Sequence, residues 1–118
     1  MYETDSTTKE GMPDARTIHV TGQVTMQEAP EFRVEILEKI STTTEARIVV
    51  ELGGVDKMDT SGAAVLAEAL KLGQSRGRRV LLCSPSQSVL RIFRLAGFEE
   101  VLGACCSDPD ETWQRLIE

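Results

Sequence analysis

Residues 58–63 read MDTSGA, so Asp59, Thr60 and Ser61 set a carboxylate and two hydroxyls side by side where an apolar run begins. Leu66, Ala69, Leu70 and Gly73 follow at helical spacing, and the triplet therefore reads as a helix N-terminus. Side-chain oxygens are favoured there because they accept hydrogen bonds from backbone N–H groups that have no partner within the helix. A single cap serves the second or third amide of the helix, so three oxygen-bearing residues exceed that need. The excess opens a second chemistry. A hydroxyl in the first helical turn sits at the positive end of the macrodipole, where an added phosphate is stabilised by the dipole and by N–H groups together. Ser61, or alternatively Thr60, is thus a candidate phosphorylation site. An exposed Asp59 carboxylate would orient the hydroxyl or help hold a kinase's metal ion. It would also repel the finished phosphate, a conflict that suits a reversible mark.

Catalysis by the same residues finds little support. A nucleophilic Ser61 needs a base, but the single histidine, His19, is distant in sequence on a strand, and there is no G-x-S-x-G elbow. The aspartic-protease reading of DTSG fails because that motif needs Gly directly after Asp-Thr. A phosphoaspartate receiver would use Asp56 or Asp59, yet no acidic pair follows the first clear strand to bind magnesium. No G-x-x-x-x-G-K phosphate loop occurs, and GQSRGRR at 73–79 reads as a helix stop followed by a solvated basic turn. Three cysteines, two of them the adjacent Cys105 and Cys106, suit neither a disulfide framework nor a four-ligand zinc site, and Cys83 reads as core. The expectation is no catalytic residue, no metal and no cofactor.

A chain of 118 residues is long enough for one domain with a core of its own. The net charge of -6 would repel a nucleic-acid backbone or an anionic membrane surface, so neither is an expected partner. No apolar stretch approaches the roughly 20 residues that span a bilayer. The polar start MYETDSTTKEG also lacks the basic-then-apolar order of a signal peptide, which points to the cytoplasm.

The elements that must position the triplet alternate. Residues 1–16 are a polar lead-in, interrupted by Gly11 and Pro13, with room for a short edge strand near Tyr2, and a single domain follows over 17–118. RTIHVTGQV alternates as a strand, with His19 exposed on the face opposite Ile18 and Val20. TMQEAPEFRVEILEKI is a helix on the spacing of Phe32, Ile36, Leu37 and Ile40. It begins either at a Thr25–Glu28 capping box or nearer Pro30. ARIVVEL at 46–52 is continuously apolar and should be a central strand. RRVLLCS at 78–84 resembles it, and EEVLG at 99–103 is a shorter strand candidate. SPSQSVLRIFRLAG should be a helix with Ser84 as N-cap, Pro85 first, Gln87 closing the box and Gly97 as stop; Val89, Phe93 and Ala96 form its core stripe. DPDETWQRLIE repeats the device with Asp108, Pro109 and Glu111, leaving Trp113, Leu116 and Ile117 as an apolar face. Four strand–helix alternations predict an α/β domain.

Taken together, the Gly22 turn, the strand ending in LGGV, the MDTSG turn, RGRRVLLCS and LRIFRLAGFEEVL resemble the STAS domain family over residues 17–102. This fold is shared by bacterial anti-sigma factor antagonists and the tails of sulfate transporters. The resemblance implies a mixed β-sheet packed with about four α-helices. It further implies a partner-binding surface at Asp59, Thr60, Ser61, Gly62 and Ala63. In antagonists, an anti-sigma factor serine kinase phosphorylates the serine directly before the motif's glycine, which here is Ser61. In the STAS subunit of phospholipid-transporting ABC systems, the functional residue is the threonine after the acidic residue, which here is Thr60. The family therefore implies a non-enzymatic switch that binds an anti-sigma kinase and so frees a sigma factor, or alternatively a subunit that binds an ABC transporter ATPase. Two positions depart from the antagonist pattern: Thr25 stands where G-E-L-D has Asp, and Ala63-Ala64 replaces Leu-Gly.

Overall fold

The alternation in RTIHVTGQV forms β2 (Ala15–Val24), which buries Ile18, Val20 and Val24. ARIVVEL opens β3 (Arg47–Met58), and RRVLLCS supplies β4 (Arg79–Cys83). In the computed structural model, which describes residues 1–8 and 14–117 with side chains as far as Leu116, these three strands are parallel neighbours within a five-stranded sheet. Gly11, Pro13 and the Ile117 side chain lie outside what is described. β1 (Tyr2–Thr8) pairs antiparallel with β2, from Tyr2 opposite Gly22 to Thr8 opposite Arg16. A two-residue β5 (Cys105–Cys106) runs parallel to β4, so the spatial order equals the chain order.

Parallel neighbours need crossovers, and crossovers of one hand in a sheet that grows in one direction carry every helix to the same side. α1 (Ala29–Thr42), α2 (Thr60–Ser75), α3 (Gln87–Ala96) and α4 (Glu99–Gly103) accordingly share a core with Ile18, Val20, Ile48, Val50 and Leu82. α5 (Pro109–Ile117) follows the last strand and covers the opposite face, where Leu116 packs with Val49, Leu81, Cys83 and Cys106 and Trp113 lies against them. The unbroken apolar run in β3 is explained: Ile48 and Val50 face one layer and Val49 the other. Two layers of helices of unequal weight thus sandwich a mixed sheet, the architecture expected from the sequence.

Two local expectations need correction. EEVLG is helical, not a strand: Val101 is buried at helical spacing from the α3 stop, and the Ala104 N–H donates to Glu100 and Val101 carbonyls. The strand comes just after it, and the Leu82 and Ser84 N–H groups donate to the Ala104 and Cys106 carbonyls at 2.8 and 2.9 Å. That last rung holds Ser84 in the left-handed region (φ 58), so it cannot cap α3. Ser86 caps instead, accepting from the Val89 N–H at 3.2 Å, while Gly97 ends the helix at φ 73 as expected. At α1, the Glu28 carboxylate accepts both the N–H and the hydroxyl of Thr25, which closes a turn ahead of the helix. The helix itself begins at Ala29, with Pro30 in the first turn, where a missing N–H costs nothing. Asp108 does cap α5, accepting from the Glu111 N–H at 2.8 Å.

Tyr2 anchors the edge strand: its ring meets Phe32 edge-on at 5.4 Å, and its hydroxyl donates to Glu35 at 2.7 Å. A second tie joins Arg16 on β2 to Glu45 before β3 through two hydrogen bonds of 2.9 and 2.7 Å. The guanidinium holds the Glu45 carboxyl down to about 2. Since an unfolded glutamate titrates near 4.3, the pair's contribution is present above that pH and is lost as acid approaches the folded value. Discounted for the partial exposure of Arg16, the contribution is on the order of 1 kcal/mol. Urea denaturation should therefore find Glu45→Gln less stable than wild type by about this amount at neutral pH, with the gap closing below about pH 3. A gap that is constant across that range would contradict the assignment.

Candidate functional site

Asp59 is the N-cap of α2, and both of its oxygens are engaged. Oδ1 accepts from the Ser61 and Gly62 N–H groups at 2.9 and 3.2 Å. Oδ2 accepts from the Met26 N–H at 2.8 Å, which binds the loop between β2 and α1 to the start of α2. The carboxylate thus serves two backbones at once and is not the free, exposed group that would hold a metal ion. This 33-residue link has no signal in the local sequence, because a cap and a long-range clamp use the same residue type.

Thr60 and Ser61 occupy the first two helical positions, Thr60 exposed and Ser61 half-buried, and neither hydroxyl has a hydrogen-bond partner among the described residues. The amides around them are already taken: those of Ser61 and Gly62 by the Asp59 side chain, and that of Ala63 by the Asp59 carbonyl at 3.1 Å. A phosphate on Ser61 would gain from the helix dipole but would find these amides occupied, so its charge would face outward. The sequence-based expectation of amide stabilisation is corrected on this point.

Gly62 fits because it has no side chain. A Cβ there would lie 2.3 Å from the Val24 carbonyl oxygen and 3.0 Å from Val24 Cγ1, so glycine lets α2 start hard against the end of β2. Ala63 is fully buried and continues the stripe of Leu66 and Leu70, so its side chain cannot meet a partner. Its neighbour Ala64 is the exposed one. The accessible patch consists of Thr60, Ser61 and Ala64, joined through the Asp59 clamp to Met26, whose side chain is 71 % exposed. An exposed Met26 in such a place is invisible to periodicity, since it lies in a turn.

Among the described residues no base stands ready beside Ser61. His19 is half-buried and projects from the α5 face, where its Nε2 lies 3.3 Å from the Thr7 hydroxyl, whereas α2 packs on the other face. Among the described residues no group of three His, Cys, Asp or Glu side chains is placed to hold a metal ion, and no helix is long and apolar enough to cross a membrane.

Replacing Asp59 with Ala should remove three accepted hydrogen bonds at one stroke. Caps are worth about 1 kcal/mol and the clamp adds a charge-assisted bond, so a loss of about 2 kcal/mol is expected in chemical denaturation. A loss below about 0.5 kcal/mol would show that the clamp contributes little.

The site is a capped helix start whose two hydroxyls are unpartnered among the described residues, set on a mixed sheet with helices on both faces. The chain belongs to the STAS domain family, whose description matches residues 6–112. Its fold is similar to that of an anti-sigma factor antagonist from Mycobacterium paratuberculosis (17% identity, 100% of this chain and 96% of that one, TM-score 0.82). It is also similar to the anti-sigma factor antagonist SpoIIAA in its unphosphorylated form (17%, 98% and 96%, 0.72). A sulfate transporter family protein from Wolinella succinogenes shares the fold as well (21%, 84% and 81%, 0.68).

Proposed function

We propose that this chain is an anti-sigma factor antagonist: a cytoplasmic, non-enzymatic switch that, when unphosphorylated, binds an anti-sigma serine kinase and so releases a sigma factor, and that phosphorylation of Ser61 turns off. The observation that carries the reading is the state of the Ser61 hydroxyl, which is unpartnered in the first turn of a helix whose amides Asp59 has already satisfied. A group placed this way is open to modification without disturbing the fold. Its phosphate would act on a partner instead of on the domain. The similarity to SpoIIAA, a protein also known in a phosphorylated form, supports the same branch of the family.

The second reading is a STAS subunit that binds the ATPase of a phospholipid transporter through Thr60, and it is favoured by the greater exposure of that residue. One experiment separates the two. The protein is isolated from its own cells with whatever it binds, then incubated with ATP, and any phosphate is located by mass spectrometry in wild type, Ser61→Ala and Thr60→Ala. Phosphate on Ser61 and a small kinase in the complex are the expected results. Phosphate on neither residue, with an ATPase in the complex and binding lost only on Thr60→Ala, would replace the antagonist by the transporter subunit.

A further inference from the structure

Crossovers of one hand lay α1, α2 and α3 side by side on one face of the sheet in the order of their strands, with α2 in the middle. The two flanking helices carry opposite charge on their outer sides. α3 reads QSVLRIFRLA, with Arg91 and Arg94 and no acidic residue, in a chain whose net charge is -6. Both arginines are exposed, and neither takes part in an ion pair among the described residues. Leu95, one turn on from Arg91, is 75 % exposed. With Gln87 and Ser88 these three residues border a shallow depression on the outer side of the helix. α1 bears the reverse arrangement: Glu31, Val34 and Glu38 are exposed at helical spacing, and Val34 is 62 % exposed. Arg33 of the same helix is drawn toward α2, where it donates twice to Glu68 at 2.6 Å.

An exposed Leu or Val standing alone is ordinary. Here each stands beside a charged pair, and the two pairs have opposite sign. Because α2 separates α1 from α3, the two faces cannot meet within one chain. Between two copies they can: with α3 of one along α1 of the other, Arg91 and Arg94 oppose Glu31 and Glu38, and Leu95 and Val34 cover each other. Such a contact is heterologous, since it joins two different patches, and it leaves one unused face at each end of the pair. Two faces of one helix each are small beside the roughly 1,200–2,000 Å² of a stable interface. The association is therefore weak, and its exposed charge pairs make it sensitive to salt.

We propose that the outer face of α3 binds the outer face of α1 on a second copy of this chain, so that the protein self-associates head to tail. The contact uses none of Asp59, Thr60 and Ser61, so it stands independently of the phosphorylation of Ser61. Sedimentation equilibrium of the full chain tests it, at concentrations up to about 1 mM so that a weak contact is still populated. The average mass of wild type should rise above that of the monomer with concentration. It should return to the monomer in about 1 M salt, where the screening length falls to about 3 Å. Arg91→Glu with Arg94→Glu, and separately Glu31→Lys with Glu38→Lys, should each remain monomeric. Mixed in equal amounts, the two double variants should associate again, because each then supplies the charge that the other has lost. Leu95→Ser, which leaves every charge in place, should weaken the association about tenfold. Circular dichroism checks the fold of each variant; if a double variant does not fold, the salt dependence of wild type and Leu95→Ser still decide. A wild type that stays monomeric throughout, association unchanged by salt or by Leu95→Ser, a folded charge-reversed variant that associates alone, or a mixture that remains monomeric would overturn the proposal.

Discussion

Ser61→Glu is expected to weaken binding of the proposed kinase partner at least tenfold, while Ser61→Ala should bind as wild type does and accept no phosphate. A phosphate brings about -1.5 to -2 charges at neutral pH, and glutamate reproduces part of that. Burying even part of such a charge at an interface without a cationic partner costs several kcal/mol. At about 1.4 kcal/mol per tenfold, the phosphorylated form should lose affinity by orders of magnitude and the glutamate mimic by less. Stability should not follow affinity. The Ser61 hydroxyl holds nothing in the fold and Asp59 remains to cap α2, so both variants should melt close to wild type. Calorimetry with the purified partner and thermal melting of the variants provide the two readouts. A glutamate variant that binds as tightly as wild type would remove Ser61 from the interface.

Leu66→Asp should have the largest effect on stability. Leu66 is fully buried in the core that α2 shares with the sheet, among side chains that offer a carboxylate neither charge nor donor. Loss of the leucine alone would cost about 2–5 kcal/mol, and an unpaired buried carboxylate adds to that. Against a total of about 5–15 kcal/mol for a domain, the variant should be largely unfolded at room temperature or melt tens of degrees lower. Circular dichroism during heating is sufficient to tell. A melting curve close to wild type would mean that this face of α2 is not the buried one.

How much of this was legible in the sequence depended on how many residues each feature used. β2, β3 and β4 were legible because each repeats its pattern over several residues, and α2 because four residues of one stripe recur in step. The α3 stop at Gly97 and the α5 cap at Asp108 were legible because their chemistry is local: a glycine at positive φ, and an Asp–Pro pair with Glu111 three residues on. Two-residue β5 has no period to detect, and the apolar pair Val101-Leu102 next to it imitated a strand while lying in a helix. Ser84 met every local rule for a cap. It was overruled by the β4–β5 ladder, which no local rule sees. At the site, the types and order of Asp59, Thr60 and Ser61 were readable. The clamp to Met26 and the burial of Ala63 were not, since both are set by how α2 meets β2 in space.

The borders of the sheet decide how another chain can approach this domain. An outermost strand offers unpaired amides and carbonyls on which a foreign strand can template itself. Here one border is β1, whose sequence YETDSTT carries Glu3 and Asp5 and turns its aromatic ring inward onto Phe32. The other border is β5, only two residues long. One border repels by charge and the other is too short to grip. Neither border invites strand addition, which leaves the side chains of the helices as the surface open to another chain.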